Sequence, residues 1–130
     1  GDILFAARGT NNYALALRNT PERAVCSPHF FVLKVSDKAR IDPYFLAWQI
    51  NQRPAQDYFR QSATGSHIPN IRRSVLEGLE VAVPSVSKQR MIADLWNAAL
   101  EEKRQLNALL TNRQQQLDSV AADLLTGRMR

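Results

Sequence analysis

The spacing of apolar residues changes once along this 130-residue chain, and the change divides it in two. Up to Pro84 the apolar positions come in short runs broken by Gly, Pro, Asn and Asp, the pattern of brief strands and helices. Beyond Ser87 they recur every three to four residues as far as Thr126, with no Gly or Pro in between. The first pattern predicts a small mixed α+β domain over 1–84, and the second a single long helix within 85–130.

Within the domain, residues 2–6 predict a strand, 8–12 a turn rich in polar side chains, and 13–17 a second strand that forms a hairpin with the first. Residues 20–23 predict a surface turn. Residues 30–35 are the strongest strand of the chain, dense in aromatic and β-branched side chains. Asp42 followed by Pro43 supplies an N-cap and a first-turn proline, opening a helix to about Asn51. Pro54 restarts a second helix that runs through Tyr58 and Phe59 to about Ala63. A loop over 65–71 follows. Ser74 and Glu77 have capping-box spacing, so one helical turn is expected there. Gly78 ends it, and residues 79–83 predict a last strand stopped by Pro84.

The long helix carries a heptad. With Trp96 at position a, the a sites are Trp96, Lys103, Leu110, Leu117 and Leu124, and the d sites are Ile92, Ala99, Leu106, Arg113 and Val120. Eight of these ten are apolar, which is a coiled-coil seam and not a generic amphipathic face. At roughly 1.5 Å per residue the helix is about 55–60 Å long, more than the preceding domain can cover. A partner helix is therefore expected along Ile92, Trp96, Ala99, Leu106, Leu110, Leu117, Val120 and Leu124; the alternative is a helix folded back on its own domain. Lys103 and Arg113 are the kind of polar seam residues that fix register and partner number.

Composition narrows the function. A hydrophobic content of 45% supports a core, and no apolar run approaches the roughly 18 residues of a membrane span. No signal peptide is visible, and the lone Cys26 excludes an internal disulfide and a cysteine-based zinc cage, in keeping with a cytoplasmic setting. The net charge is +5, with 13 Arg against 4 Lys. Arginine favours planar, bidentate recognition of phosphates and guanine edges, so nucleic acid becomes the leading partner.

Catalysis is not expected. His29 and His67 lie in unrelated contexts, His29 reads as a core or edge residue, and no paired carboxylates, nucleophile elbow, phosphate loop or metal-ligand spacing is present; no cofactor or metal follows. Binding chemistry is richer. Arg8, Thr10, Asn11 and Asn12 place a guanidinium, a hydroxyl and two amides on one turn, suited to guanine, phosphate and adenine; the same residues also suit turn geometry alone. Ser66, His67 and Asn70 with Arg72 and Arg73 form a second candidate, suited to backbone phosphates, or else a solvated pair beside a helix cap. Lys34, with Lys38 and Arg40, widens the basic face or simply ends a strand. Trp48, Tyr58 and Phe59 are spaced as core, not as stacking platforms.

The order of several short motifs resembles the DNA-specificity subunits of type I restriction–modification systems. They are Gly1-Asp2-Ile3-Leu4, Ser27-Pro28-His29-Phe30-Phe31-Val32-Leu33, Asp42-Pro43-Tyr44-Phe45-Leu46, Gly65-Ser66 leading to Ile68, Asn70 and Ile71, then Leu76-Glu77-Gly78-Leu79, Val83-Pro84, and Gln89 with Ile92. The resemblance implies a target recognition domain that reads half of a split site in double-stranded DNA, followed by a spacer helix that pairs antiparallel with a second. Such domains usually have some tens of residues before the Gly-Asp-Ile-Leu strand, which here starts at Gly1. A complete subunit has two recognition units and two spacer helices. One of each here implies a homodimer, with a DNA methyltransferase subunit as a further partner. A scaffold that docks on other subunits through the helix without touching DNA is the alternative.

Overall fold

The computed structural model describes residues 1–18, 29–62 and 70–127. Its elements are β1 (Asp2–Ala6), β2 (Ala14–Ala16), β3 (Phe30–Lys34), α1 (Pro43–Asn51), α2 (Arg53–Ser62), α3 (Arg73–Glu77) and α4 (Val86–Leu125). This is the mixed α+β head and long C-terminal helix that the sequence pattern predicts. The turn expected at 20–23 lies outside the described residues.

The three strands form an antiparallel sheet in the order β2-β1-β3. Alternation along β1 sends Ile3 and Phe5 into the core, both fully buried. Phe5 meets Phe59 of α2 with ring centroids 5.0 Å apart, and Ile50, Ile71, Phe45, Ala47, Ala55 and Leu76 are buried as well. Asp42 caps α1, its carboxylate accepting from the backbone N–H of Tyr44 at 2.8 Å and Phe45 at 3.1 Å, with Pro43 at N1. Such a cap is worth about 1 kcal/mol.

Side-chain amides do much of the joining. Asn51, at the end of α1, accepts from the Ala14 N–H at 2.7 Å and donates to the Ala14 carbonyl at 2.8 Å. It thereby occupies backbone groups on the outer edge of β2 and blunts that edge. Gln89, in the first turns of α4, is fully buried. It accepts from the Asp42 N–H at 2.8 Å and donates to the carbonyls of Arg40 at 2.9 Å and Pro84 at 2.8 Å. These bonds tie the start of α4 to the cap of α1.

Two local expectations are corrected. Residues 79–83 form no strand. Gln49 takes both backbone groups of Ala82, accepting its N–H at 2.6 Å and donating to its carbonyl at 3.0 Å. A groove of about 540 Å³ has β3 residues Phe31 and Leu33 and segment residues Leu79 and Val81 on its walls. The helical turn at α3 exists, but not as a capping box. Arg72 occupies the cap position with no side-chain capping bond, Ser74 lies inside the turn, and Glu77 pairs with Arg73 at 2.8 Å. A Cβ on Gly78 would come 2.9 Å from the hydroxyl of Tyr58, which donates to the Val75 carbonyl at 2.7 Å; this close approach accounts for glycine there.

Gly1–Ala93 forms one compact unit and Asp94–Arg130 a second. In the second, Arg104 grips Glu101 through Nε at 3.0 Å and Nη2 at 2.7 Å. This bidentate bond, with its charge attraction and a further bond from Gln105, holds the Glu101 carboxyl below the ordinary glutamate range. A carboxyl whose pKa falls on folding stabilises the helix above its unfolded pKa, and the gain is lost as pH drops through the lowered value. In Arg104→Ala, the Glu101 carboxyl carbon resonance should titrate at higher pH; an unchanged titration contradicts the pairing.

Candidate nucleic-acid interface

The first candidate cluster sits where the chain leaves β1. Gly9 takes φ +96°, a left-handed conformation that glycine adopts without strain. Asn12 holds the turn from inside. It is only 4% exposed, and its Nδ2 donates to the carbonyls of Ala6 at 3.0 Å and of Ala7 and Gly9 at 3.4 Å. From α2, Gln56 donates to the Asn12 carbonyl at 2.7 Å. Asn12 therefore does not share the outward face expected for it, because its amide replaces backbone partners the turn lacks. Arg8, Thr10 and Asn11 are exposed.

Residues the sequence presents as a separate cluster arrive beside this turn. The Ile71 N–H donates to the Ala7 carbonyl at 2.8 Å, and Asn70 forms an antiparallel bridge with Arg8. Asn70 and Arg72 are exposed on either side of buried Ile71. Arg8, Thr10, Asn11, Asn70 and Arg72 thus share one edge of the head. Arg73 is next in line, with part of its charge engaged by Glu77. Ser66 and His67 lie outside the described residues. Lys34 does not join the group: it pairs with Asp2, while Phe30 pairs with Ala6. Four residues of strand, about 13 Å, separate those two ends.

His29, which reads in the sequence as a core or edge residue, is exposed at this edge. Its carbonyl accepts the Ala7 N–H at 3.0 Å, and Nη1 of Arg8 lies 3.4 Å from its Nδ1 and 3.5 Å from its Nε2. The register could have signalled this, since pairing Phe30 with Ala6 places His29 opposite Ala7. Among the described residues no group of three His, Cys, Asp or Glu is placed to hold a metal ion, and no helix is long and apolar enough to cross a membrane.

On α4 the predicted seam divides. Ile92 is half-buried within the first unit and Trp96 is half-buried. Ala99 is exposed, as are Leu106, Leu110, Leu117, Val120 and Leu124, with Leu110 at 68%. Leu95 and Leu109, at position g, are also exposed and widen the stripe, and exposed Leu125 lies at position b, off it.

The described residues thus give an exposed edge bearing arginine and amide side chains on the α+β unit, and an exposed apolar stripe on the long helix. The chain belongs to the type I restriction modification DNA specificity domain family, whose family pattern it matches over residues 1–117. That family serves DNA recognition in restriction–modification, and its domains are non-catalytic. No curated protein matches the chain at a significant level.

Proposed function

We propose that this chain is a non-enzymatic DNA-binding module whose α4 pairs antiparallel with that of a second copy, presenting two basic heads to a split, symmetric duplex site in the cytoplasm. The observation that carries the reading is the Arg8–Asn70 bridge, which gathers Arg8, Thr10, Asn11, Asn70 and Arg72 on one edge. Arg72 and Arg73 suit phosphates, and Arg8, Asn11 and Asn70 suit base edges; Lys34, Ser66 and His67 remain further proposed contacts. A methyltransferase subunit is the proposed larger partner.

Energetics support pairing over an isolated helix. Burying Leu106, Leu110, Leu117, Val120 and Leu124 at about 1.5 kcal/mol each gives roughly 15 kcal/mol across a pair. Association costs about 4–15 kcal/mol, so pairing is favourable only when most of the stripe is engaged. Leu110→Asp or Leu117→Asp should therefore yield a monomer by sedimentation, since an unpaired buried charge costs several kcal/mol; a dimer in both variants places the interface elsewhere.

Binding of random duplexes followed by fluorescence anisotropy across a salt series tests the DNA reading. Three to five phosphate contacts per head predict a log–log slope of roughly −3 to −4.5. No binding at low salt ends the proposal. The bare stripe on α4 also favours a second reading, a scaffold docked on larger subunits without DNA contact, and that outcome would select it.

A further inference from the structure

Backbone pairing brings His29 and Arg8 together at the edge of the head. Phe30 pairs with Ala6 in the β1–β3 ladder, the Ala7 N–H donates to the His29 carbonyl at 3.0 Å, and Arg8 is itself bridged to Asn70. Both residues are exposed, yet both stand on paired backbone. Nη1 of Arg8 lies almost equally far from the two ring nitrogens of His29, 3.4 Å from Nδ1 and 3.5 Å from Nε2. Those nitrogens direct their in-plane bonds apart, so a partner on the bond axis of one stands well away from the other. Any in-plane position this close to both would overlap ring carbons. Nη1 therefore rests over the face of the imidazole, and a guanidinium packs well on a flat aromatic face.

With Nη1 engaged in this way, Nε and Nη2 remain, and neither makes a hydrogen bond among the described residues. Together they form a parallel pair of N–H donors, the fork with which arginine grips O6 and N7 of guanine. We infer that His29 is a positioning residue for DNA reading: its ring holds Nη1 of Arg8 and leaves the Nε–Nη2 edge as the fork that selects a guanine. This rests on the DNA-binding reading above and names one base of the site. A phosphate accepts lysine or a mobile arginine from many directions, whereas the O6–N7 pair needs a fork set in its own plane. Restraining Arg8 before DNA arrives also removes part of the ordering cost that binding would otherwise carry. Asn11 and Asn70, exposed on the same edge, offer amides to neighbouring bases.

Equilibrium selection by the full chain from a pool of duplexes with randomised central base pairs, read by sequencing, tests the inference. The parental protein should favour guanine at one position of the site roughly tenfold, the discrimination a good bidentate pair provides. Arg8→Lys keeps the charge but lacks the fork, so it should lose that preference while still holding duplex DNA. His29→Ala should cut the preference to about threefold, and His29→Phe, which restores a flat aromatic face, should return it. Three results overturn the role of His29: an unchanged guanine preference in His29→Ala, a preference as weak in His29→Phe as in His29→Ala, or an equal loss on every duplex in both variants. A parental protein that retains duplexes without favouring guanine overturns it too. No retention of any duplex by the parental protein overturns the DNA-binding reading itself.

Discussion

Replacing Arg8 and Arg72 together by glutamate should abolish retention of duplex DNA while leaving the fold and the proposed pairing of α4 intact. Both side chains are exposed, and the only described contact of the Arg8 guanidinium is with exposed His29. Arg72 stands at a helix cap where its side chain makes no capping bond. Stability therefore has little stake in either. If a head makes about three to five phosphate contacts, removing two and adding two repulsions should lower affinity roughly 100-fold or more and flatten the salt slope by about 1.8. Arg73→Ala should cost far less, because Glu77 already engages that guanidinium at 2.8 Å. Anisotropy titrations at one low salt concentration check all three variants. Parental affinity in the double variant would mean that DNA is held elsewhere on the head. Under the scaffold reading the double variant should assemble with its partners unchanged.

Gln89→Leu should be the most damaging single change to stability. Leucine is close in size, so the loss is of hydrogen bonds and not of volume. The Asp42 N–H and the carbonyls of Arg40 and Pro84 all bond to this fully buried amide. Each group left without a partner costs about 1–3 kcal/mol. A combined loss of about 3–5 kcal/mol is expected, a large share of the roughly 5–15 kcal/mol that stabilises a typical domain. Because Asp42 also caps α1, loosening should spread from the start of α4 into that helix. Urea denaturation measures the change directly, and a shift below about 1 kcal/mol contradicts the role assigned to Gln89.

Elements with local signals were legible in the chain: alternation in β1, aromatic density in β3, the Asp42-Pro43 cap of α1, and the unbroken period of α4. What sequence reading missed is non-local. Gln49 bonds Ala82 across 33 positions, Asn51 bonds Ala14 across 37, and Gln89 bonds Arg40 across 49. No propensity scale registers an amide that stands in for a strand. Residues 79–83 therefore read as a strand when Gln49 in fact satisfies Ala82. Ser74 and Glu77 have the spacing of a capping box, yet the helix starts two residues earlier, capped at Arg72, and Glu77 turns to Arg73. The candidate interface divides the same way. The polar residues of the turn and of the segment near residue 70 stood out by type. That Asn12 turns inward, and that Arg8 and Asn70 meet, depends on backbone pairing between distant parts of the chain.

The proposed functional unit pairs two copies through α4 and holds two heads on one duplex. Sedimentation of the protein with a short labelled duplex tests this most directly. The protein alone should sediment at twice its 14.7 kDa chain mass, and the labelled duplex should carry two chains. A 14.7 kDa particle at high micromolar concentration that leaves the duplex unshifted would contradict the account.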